Sequence, residues 1–390
     1  MRITGVSVDG ELSEFGGRAL IVRTDRGELK TPQRVLTSSE IQYKAKLPSE
    51  PPINNELSEM VSFFTAGQWG NFLSKNGSFA SRLRTLEFFG DKMGYTLRRL
   101  LPKIPRTAVV DKDSVKYLLE LQRMGPLDFI MMPSLPPDEH AFGRLAAAFS
   151  EEVLSEHREP MVYLDMGLEA SLFRSRFDEL MELARTGLVN TVGLLYKPIK
   201  DTSVNYLHLW RNREARVLLQ MSDVPRGFKG TSTMHLLQKW GIDAFSVRLN
   251  PFRGGRGGDG SEPRREFAVS RVKRLDHRPL VFRPFDSWTL HGDELGCECP
   301  VCRDLTVPGF IERYRDENEA YDGEIFIAAT RLHEYFKSSD EFRAGREFIK
   351  EGEMAEYFQQ KEGLRDSDYP VPKPTATLNG WLGRDPPRDA

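Results

Sequence analysis

Cysteine is almost missing from this 390-residue chain: there are three, and all fall within "GCECPVC", residues 296–302. An odd number excludes a fully paired disulfide framework. Cys297 and Cys299 also stand too close in sequence to bridge each other without strain. No apolar run reaches membrane-span length, and the N-terminus lacks the basic-then-apolar pattern of a signal peptide. The expectation is therefore a cytoplasmic chain without a membrane. A dominant charge is lacking too, since 55 Lys and Arg face 57 Asp and Glu. Any nucleic-acid surface must then be a local patch rather than a field of the whole chain.

The composition that remains, 39% hydrophobic and 29% charged, supports a core for one large domain or two ordinary ones. In a reducing compartment, clustered thiols serve best as metal ligands, because a thiolate is a soft, charged donor that suits zinc. C-x-C-x-x-C offers three sulfurs, and a tetrahedral structural site wants a fourth donor. His291 lies just upstream, in a tight loop. His333 lies in "AATRLHEYF", which reads as a helix, and is preferred. The bland alternative is three incidental thiols.

Alternation of polar and apolar residues through "ALIVRTDRGEL", with a turn at Arg26-Gly27, predicts a small antiparallel element. Short apolar runs follow at 34–39, 60–66, 107–114, 128–135, 161–168, 191–198, 216–223 and 243–249. Helical patterns separate several of them, best in "ASLFRSRFDELMELART" and "STMHLLQKW". Such alternation predicts an α/β chain with a parallel sheet, and the number of runs predicts a (β/α)8 TIM-type barrel. Residues 48–104 must then carry an insertion. Residues 1–252 would hold the antiparallel element and barrel, 253–362 a basic segment, zinc-binding subdomain and C-terminal helices, and 363–390 a loosely ordered tail. Function in such a barrel belongs at the C-terminal strand ends. Those ends would hold Asp111, Ser134, Asp165, Tyr196, Ser222 or Asp223, and Ser246. Residues 253–278 carry eight Lys and Arg against four acids, fit either for phosphates or for a solvated loop.

The barrel order, the basic segment, "CECPVC" and a helical "RLHEY" together resemble the tRNA-guanine transglycosylase family. "RLHEY" is similar to that family's zinc-ligand helix, with Glu334 in place of an asparagine. "GELKTP" resembles its approach to the first strand. "EPMVYLDMGLEASLFRSRFDELMELARTGLVNTVGLLY" is similar in layout to its base-binding strands, and "VLLQMSDVPRGFKGTSTMHLLQKWGIDAFS" to its seventh and eighth. The resemblance covers most of residues 25–340.

It implies structural Zn2+ on Cys297, Cys299, Cys302 and His333. It also implies exchange of a guanine in nucleic acid for a 7-deazaguanine such as 7-cyano-7-deazaguanine, through an aspartate nucleophile. Asp111 matches the proton-handling aspartate, although a strand-to-helix cap is an equal alternative. Ser134 and Asp165 stand at the base-recognition positions, where Asp165 can accept two N–H donors or merely pair with an arginine. Gly193 and Leu194 match a backbone site that lets a planar ring approach. Arg253, Arg256, Arg264, Arg265, Arg271, Lys273 and Arg274 would hold phosphates. At the nucleophile the pattern departs: Gly241-Ile242-Asp243-Ala244-Phe245-Ser246 puts serine where the carboxylate belongs. Another carboxylate reaches the site (Asp165, Asp223 or, on the opposite strand face, Asp243), or the register is shifted, or transglycosylation is lost. Divergence of these signatures favours DNA over tRNA as partner. A homodimer, helper proteins or a role as a non-catalytic partner subunit stay open.

Overall fold

The polar–apolar alternation near the N-terminus forms an antiparallel sheet of β1 (Ile3–Val8), β2 (Leu20–Thr24) and β3 (Gly27–Lys30) in that order. The β2–β3 hairpin turns between Thr24 and Gly27, which pair across it. The structure, a computed structural model, describes residues 2–10, 12, 16–49, 51–53, 57–74, 78–92, 97–103, 112–135, 137, 139–248, 272–285, 287, 295–314 and 323–365.

Strands and helices then alternate. First come β4 (Gln33–Arg34), β5 (Leu36–Thr37), α1 (Ser38–Ala45), β6 (Leu57–Phe63), α2 (Ala66–Leu73), α3 (Ser78–Lys92) and β7 (Leu97–Lys103). Next are α4 (Lys112–Met124), β8 (Phe129–Met132), α5 (Phe142–Ser155), β9 (Glu159–Asp165), α6 (Ala170–Arg185) and β10 (Thr191–Leu195). The series ends with α7 (Ile199–Arg211), β11 (Leu218–Val224), β12 (Gly227–Phe228), β13 (Thr231–Ser232), α8 (Thr233–Leu237) and β14 (Ala244–Val247).

Two parallel sheets result, β4-β14-β11-β10-β9-β8 and β5-β6-β7. Only Val35 separates β4 from β5, so one stretch of chain edges both. On the far side, the Asp128 N–H donates to the Arg98 carbonyl at 2.9 Å, joining β7 to the residue just before β8. Seven of the eight apolar runs overlap these strands. Of the run at 107–114, residues 107–111 lie outside the described residues and residues 112–114 open α4; the described strand before it is "LRRLLPK".

One face of the larger sheet packs on helices, with Leu164, Val192, Leu194, Leu219 and Met221 in one cluster with Phe173, Phe177 and Leu180 of α6. The helix forms because Phe173, Phe177, Leu180 and Met181 recur at the spacing that makes one apolar stripe. Glu169 caps its start by accepting from the Ser171 and Leu172 N–H groups at 3.0 and 3.3 Å. Burying each large apolar side chain of that stripe contributes about 1.5–3 kcal/mol. The opposite strand face collects Met131, Met161, Tyr163, Leu218 and Ala244 with Leu20, Val22 and Leu29 of the N-terminal sheet. That small sheet therefore covers the side where the strands begin.

After residue 271 come β15 (Lys273–Asp276) and β16 (Val281–Pro284), which extend the β12–β13 hairpin in the order β12-β13-β16-β15. Residues on either side of position 252 thus share one sheet. Among the described residues, α9 (Val307–Arg313), α10 (Glu324–Lys350), α11 (Met354–Gln360) and α12 (Glu362–Arg365) follow. With 27 residues, α10 is about 40 Å long at ~1.5 Å per residue. At the start of the expected tail, the Gly363 N–H donates to the Pro279 carbonyl at 2.8 Å, and Leu364 is buried. The rest of that tail lies outside the described residues.

Candidate functional site

Cys297, Cys299, Cys302 and His333 come together, all buried, with their donor atoms within 4.8 Å of one another. His333 Nδ1 stands 3.5, 3.4 and 3.2 Å from the three sulfurs in that order. A tetrahedral zinc with Zn–S about 2.3 Å and Zn–N about 2.0 Å would space its donors by roughly 3.5–3.8 Å. The donor set therefore fits that ion. The sulfurs are presented by a tight turn in which the Cys302 and Arg303 N–H groups both donate to the Cys299 carbonyl at 2.9 Å.

Strand β15 supplies the surroundings. His333 Nε2–H donates to the Leu275 carbonyl at 2.8 Å, which leaves the Nδ1 lone pair facing the sulfurs. Arg274, fully buried, reaches Cys302 Sγ at 3.2 Å and His333 Nδ1 at 3.3 Å. Three thiolates and a divalent cation sum to one negative charge, and the Arg274 guanidinium offsets it. Arg274 was expected on a phosphate, but it is enclosed at this cluster, whereas Lys273 beside it is exposed.

The enclosed face of the parallel strands holds a second polar group. Ser246 on β14 donates its hydroxyl to Glu59 Oε1 at 2.6 Å. Glu59, on β6, is fully buried and ion-paired with Arg99 of β7. Its Oε2 accepts from Ser222 Oγ at 2.9 Å, and Arg99 Nη2 reaches that same hydroxyl at 3.0 Å. The Tyr163 hydroxyl completes the set, 2.7 Å from Ser222 Oγ. Burial pushes the Tyr163 phenol up to about 12, against the opposing pull of Arg99, so it stays a donor.

Gly193 was expected to admit a planar ring, and the ring it admits is Tyr163. A Cβ built on Gly193 would lie 2.5 Å from that ring, which comes from the paired position on β9. Leu194 points to the helix-packed face and is fully buried. Asp165 does lie at a strand end, half-buried, in one row with Leu195 and Ser222. Its Oδ1 accepts from the Gly167 N–H at 2.7 Å. Ser134 follows β8, also half-buried. Asp223 sits at an irregularity of β11 with φ 64° and its Oδ2 3.4 Å from Arg248.

Asp243 is not at that end. It precedes β14, fully buried, where Arg18 clamps it: Arg18 Nε lies 2.9 Å from Oδ1 and Nη2 lies 2.5 Å from Oδ2. The Leu219 N–H also donates to Oδ2 at 2.7 Å. Burial raises its pKa while Arg18 opposes the shift. Asp243 therefore fastens the N-terminal segment beneath the strands instead of serving catalysis. Asp111, Arg253, Arg256, Arg264, Arg265, Arg271 and His291 lie outside the described residues.

No family profile matches the chain. A tRNA-guanine(15) transglycosylase of Saccharolobus solfataricus is 22% identical to it over 226 residues, 58% of the chain. The likeness is to a transglycosylase. The chain spans only 38% of that relative's length. Among the described residues, no helix is long and apolar enough to cross a membrane.

Glu59, Arg99 and Tyr163 were missed by sequence reasoning. The signal was partial: "LSEMVSF" has a single acid and "LRRLLPK" an arginine at the third position of the strand, but Arg98 and Lys103 blur the second pattern.

Proposed function

We propose that this chain exchanges a guanine base in nucleic acid for a 7-deazaguanine such as 7-cyano-7-deazaguanine. The observation carrying the reading is the buried Cys297/Cys299/Cys302/His333 cluster beside nine described parallel strand segments, of which β4 and β5 are one stretch broken only at Val35, in a chain similar to a tRNA-guanine(15) transglycosylase. The β4–β5 bridge and the Asp128–Arg98 hydrogen bond support closure of the strands into a (β/α)8 barrel. Structural Zn2+ would fasten the 297–302 turn to α10 and takes no part in the reaction.

The exchange needs a carboxylate to attack the sugar C1′. The C1′–N9 bond then breaks, its electron pair leaves with guanine, and guanine takes up a proton. The incoming base gives up a proton and displaces the carboxylate, so configuration is retained. With serine at 246, the carboxylate at that place is Glu59, 2.6 Å from the serine hydroxyl. Reaching a nucleotide requires the Glu59–Arg99 pair to part. Asp111 would move the base protons, Ser134 and Asp165 would meet the base edge, and the arginines of 253–271 would hold phosphates. DNA is the favoured polymer on divergence, with tRNA, the substrate named for the relative, as the alternative.

The test is incorporation of labelled 7-cyano-7-deazaguanine into duplex DNA and into tRNA. The wild type should label one of them, and Asp111→Asn should abolish labelling while keeping its metal. A variant labelling at the wild-type rate removes Asp111 from the mechanism.

A second reading, a non-catalytic partner subunit, is favoured by the sealing of Glu59 and by Tyr163 filling the space over Gly193. It predicts no labelling of either polymer by the chain alone and stimulation of a separate, active transglycosylase.

A further inference from the structure

Beside the metal cluster, at the C-terminal ends of β5, β11 and β14, lies a cavity of about 470 Å³ between those strands, α1 and α10. Four arginines line it, Arg34, Arg226, Arg248 and Arg331, against the two carboxylates Glu40 and Glu334. Both carboxylates are already matched: Arg34 pairs with Glu40 at 2.6 Å, and Arg226 pairs with Glu334 at 2.6 Å. Counting Asp223, 3.4 Å from Arg248, four guanidiniums face three carboxylates, so one positive charge is in surplus. The loosest-held groups are Arg248 and Arg331, whose contacts with Asp223 and Glu334 are long, 3.4 and 3.5 Å, and whose side chains are 44% and 31% exposed. The first turn of α1 puts Ser39 on the cavity wall, while its own N-terminus is capped by Glu40, whose Oε2 accepts from the Thr37 N–H at 2.7 Å.

We propose that this cavity is a phosphate-binding site in which Arg248 and Arg331 hold a backbone phosphate of the nucleic-acid substrate. Guanidinium groups present forked N–H donors that match phosphate oxygens. Tyr43 on the wall gives the adjoining sugar or base a flat apolar face. Arg248 lies two residues beyond Ser246 on the same run of chain, about 7 Å along an extended strand. A phosphate there sits next to the nucleotide that approaches Ser246. The polymer rests on the nucleic-acid reading above, while the phosphate chemistry stands without it.

The experiment measures anisotropy of labelled single-stranded DNA and RNA oligonucleotides across a salt series, with the full chain. Arg248→Ala and Arg331→Ala should each weaken binding about tenfold and flatten the log–log salt slope by roughly 0.7. Arg185→Ala, a 70% exposed arginine in the cleft beside the C-terminal ends of α6 and α7, should change neither. Melting temperature and metal content certify that the variants fold. A second arm adds inorganic phosphate alone. Protection of the wild type but not of the double variant supports the site, and without oligonucleotide binding it assigns the site to small phosphoesters. A double variant that binds oligonucleotide with wild-type affinity and slope overturns the proposal, whatever base exchange shows. Binding through the cavity without any base exchange keeps the proposal and fells the transglycosylase reading.

Discussion

Ser246 shows how one side chain changes the chemistry around it. A serine brings no charge, so the enclosed strand face keeps a carboxylate only because Glu59 arrives from β6, and Glu59 persists only because Arg99 accompanies it. Removing one partner of a buried ion pair leaves the other uncompensated and costs about 3–5 kcal/mol, whereas replacing both with apolar groups is near neutral. Glu59→Gln should therefore lower the denaturant midpoint sharply, and adding Arg99→Met should restore most of it. Equal midpoints for Glu59→Gln and wild type would show that the pair carries no buried charge. The same network explains what the sequence hid. Opposite charges on two neighbouring strands declare themselves only once the strands are known to be adjacent, and one of these strands was missed.

The missed element is β7. "LRRLLPK" carries two arginines and a terminal lysine, so the apolar pattern passed it over, while residues 107–111 of "TAVVDKDS" lie outside the described residues. Arg99 turns inward to Glu59, and Arg98 outward to Asp128. Strands β8 to β11 and β14 were legible because their runs are buried on both faces, which leaves a continuous apolar signature. The N-terminal hairpin was legible from alternation, but its docking was not, because it depends on Glu159. That side chain accepts from the Ile3 N–H and from Asn190 Nδ2, each at 2.9 Å, tying β1 to the start of β9. Burial pushes its pKa up to about 7, in spite of the Ile3 and Asn190 hydrogen bonds. The folded form thus binds the proton more tightly than the unfolded one. The stability this confers is complete below the ordinary glutamate pKa and is lost as pH climbs through about 7. Relative to Glu159→Gln, the wild type should lose about 3 kcal/mol between roughly pH 4 and pH 8. Urea unfolding at both values checks it, and parallel curves for the two proteins would refute it.

At the scale of the molecule, α10 reaches three regions. Near its start it supplies His333 to the sulfurs, then Glu334 and Arg331 to the arginine-lined cavity. Near its end Arg346 pairs with Asp9 and donates to the Leu20 carbonyl at 3.1 Å, holding the N-terminal sheet. The residues around the cysteines form an apolar cluster of their own, with Phe285, Val307, Phe310 and Phe326 separate from the strand cores. A metal bound there stabilises this cluster directly and the strands indirectly, through α10, β15 and α1. Cys299→Ala, or dialysis of the wild type against a chelator, should remove bound zinc and lower the melting temperature by about 10 °C, equivalent to several kcal/mol. Amide exchange should quicken first in residues 295–314 and the first half of α10, while β9, β10 and β11 keep their protection. A uniform loss across the chain would mean that the cluster and the strands unfold as one unit. Unchanged exchange after metal removal would mean that the three sulfurs and the imidazole hold no structural ion.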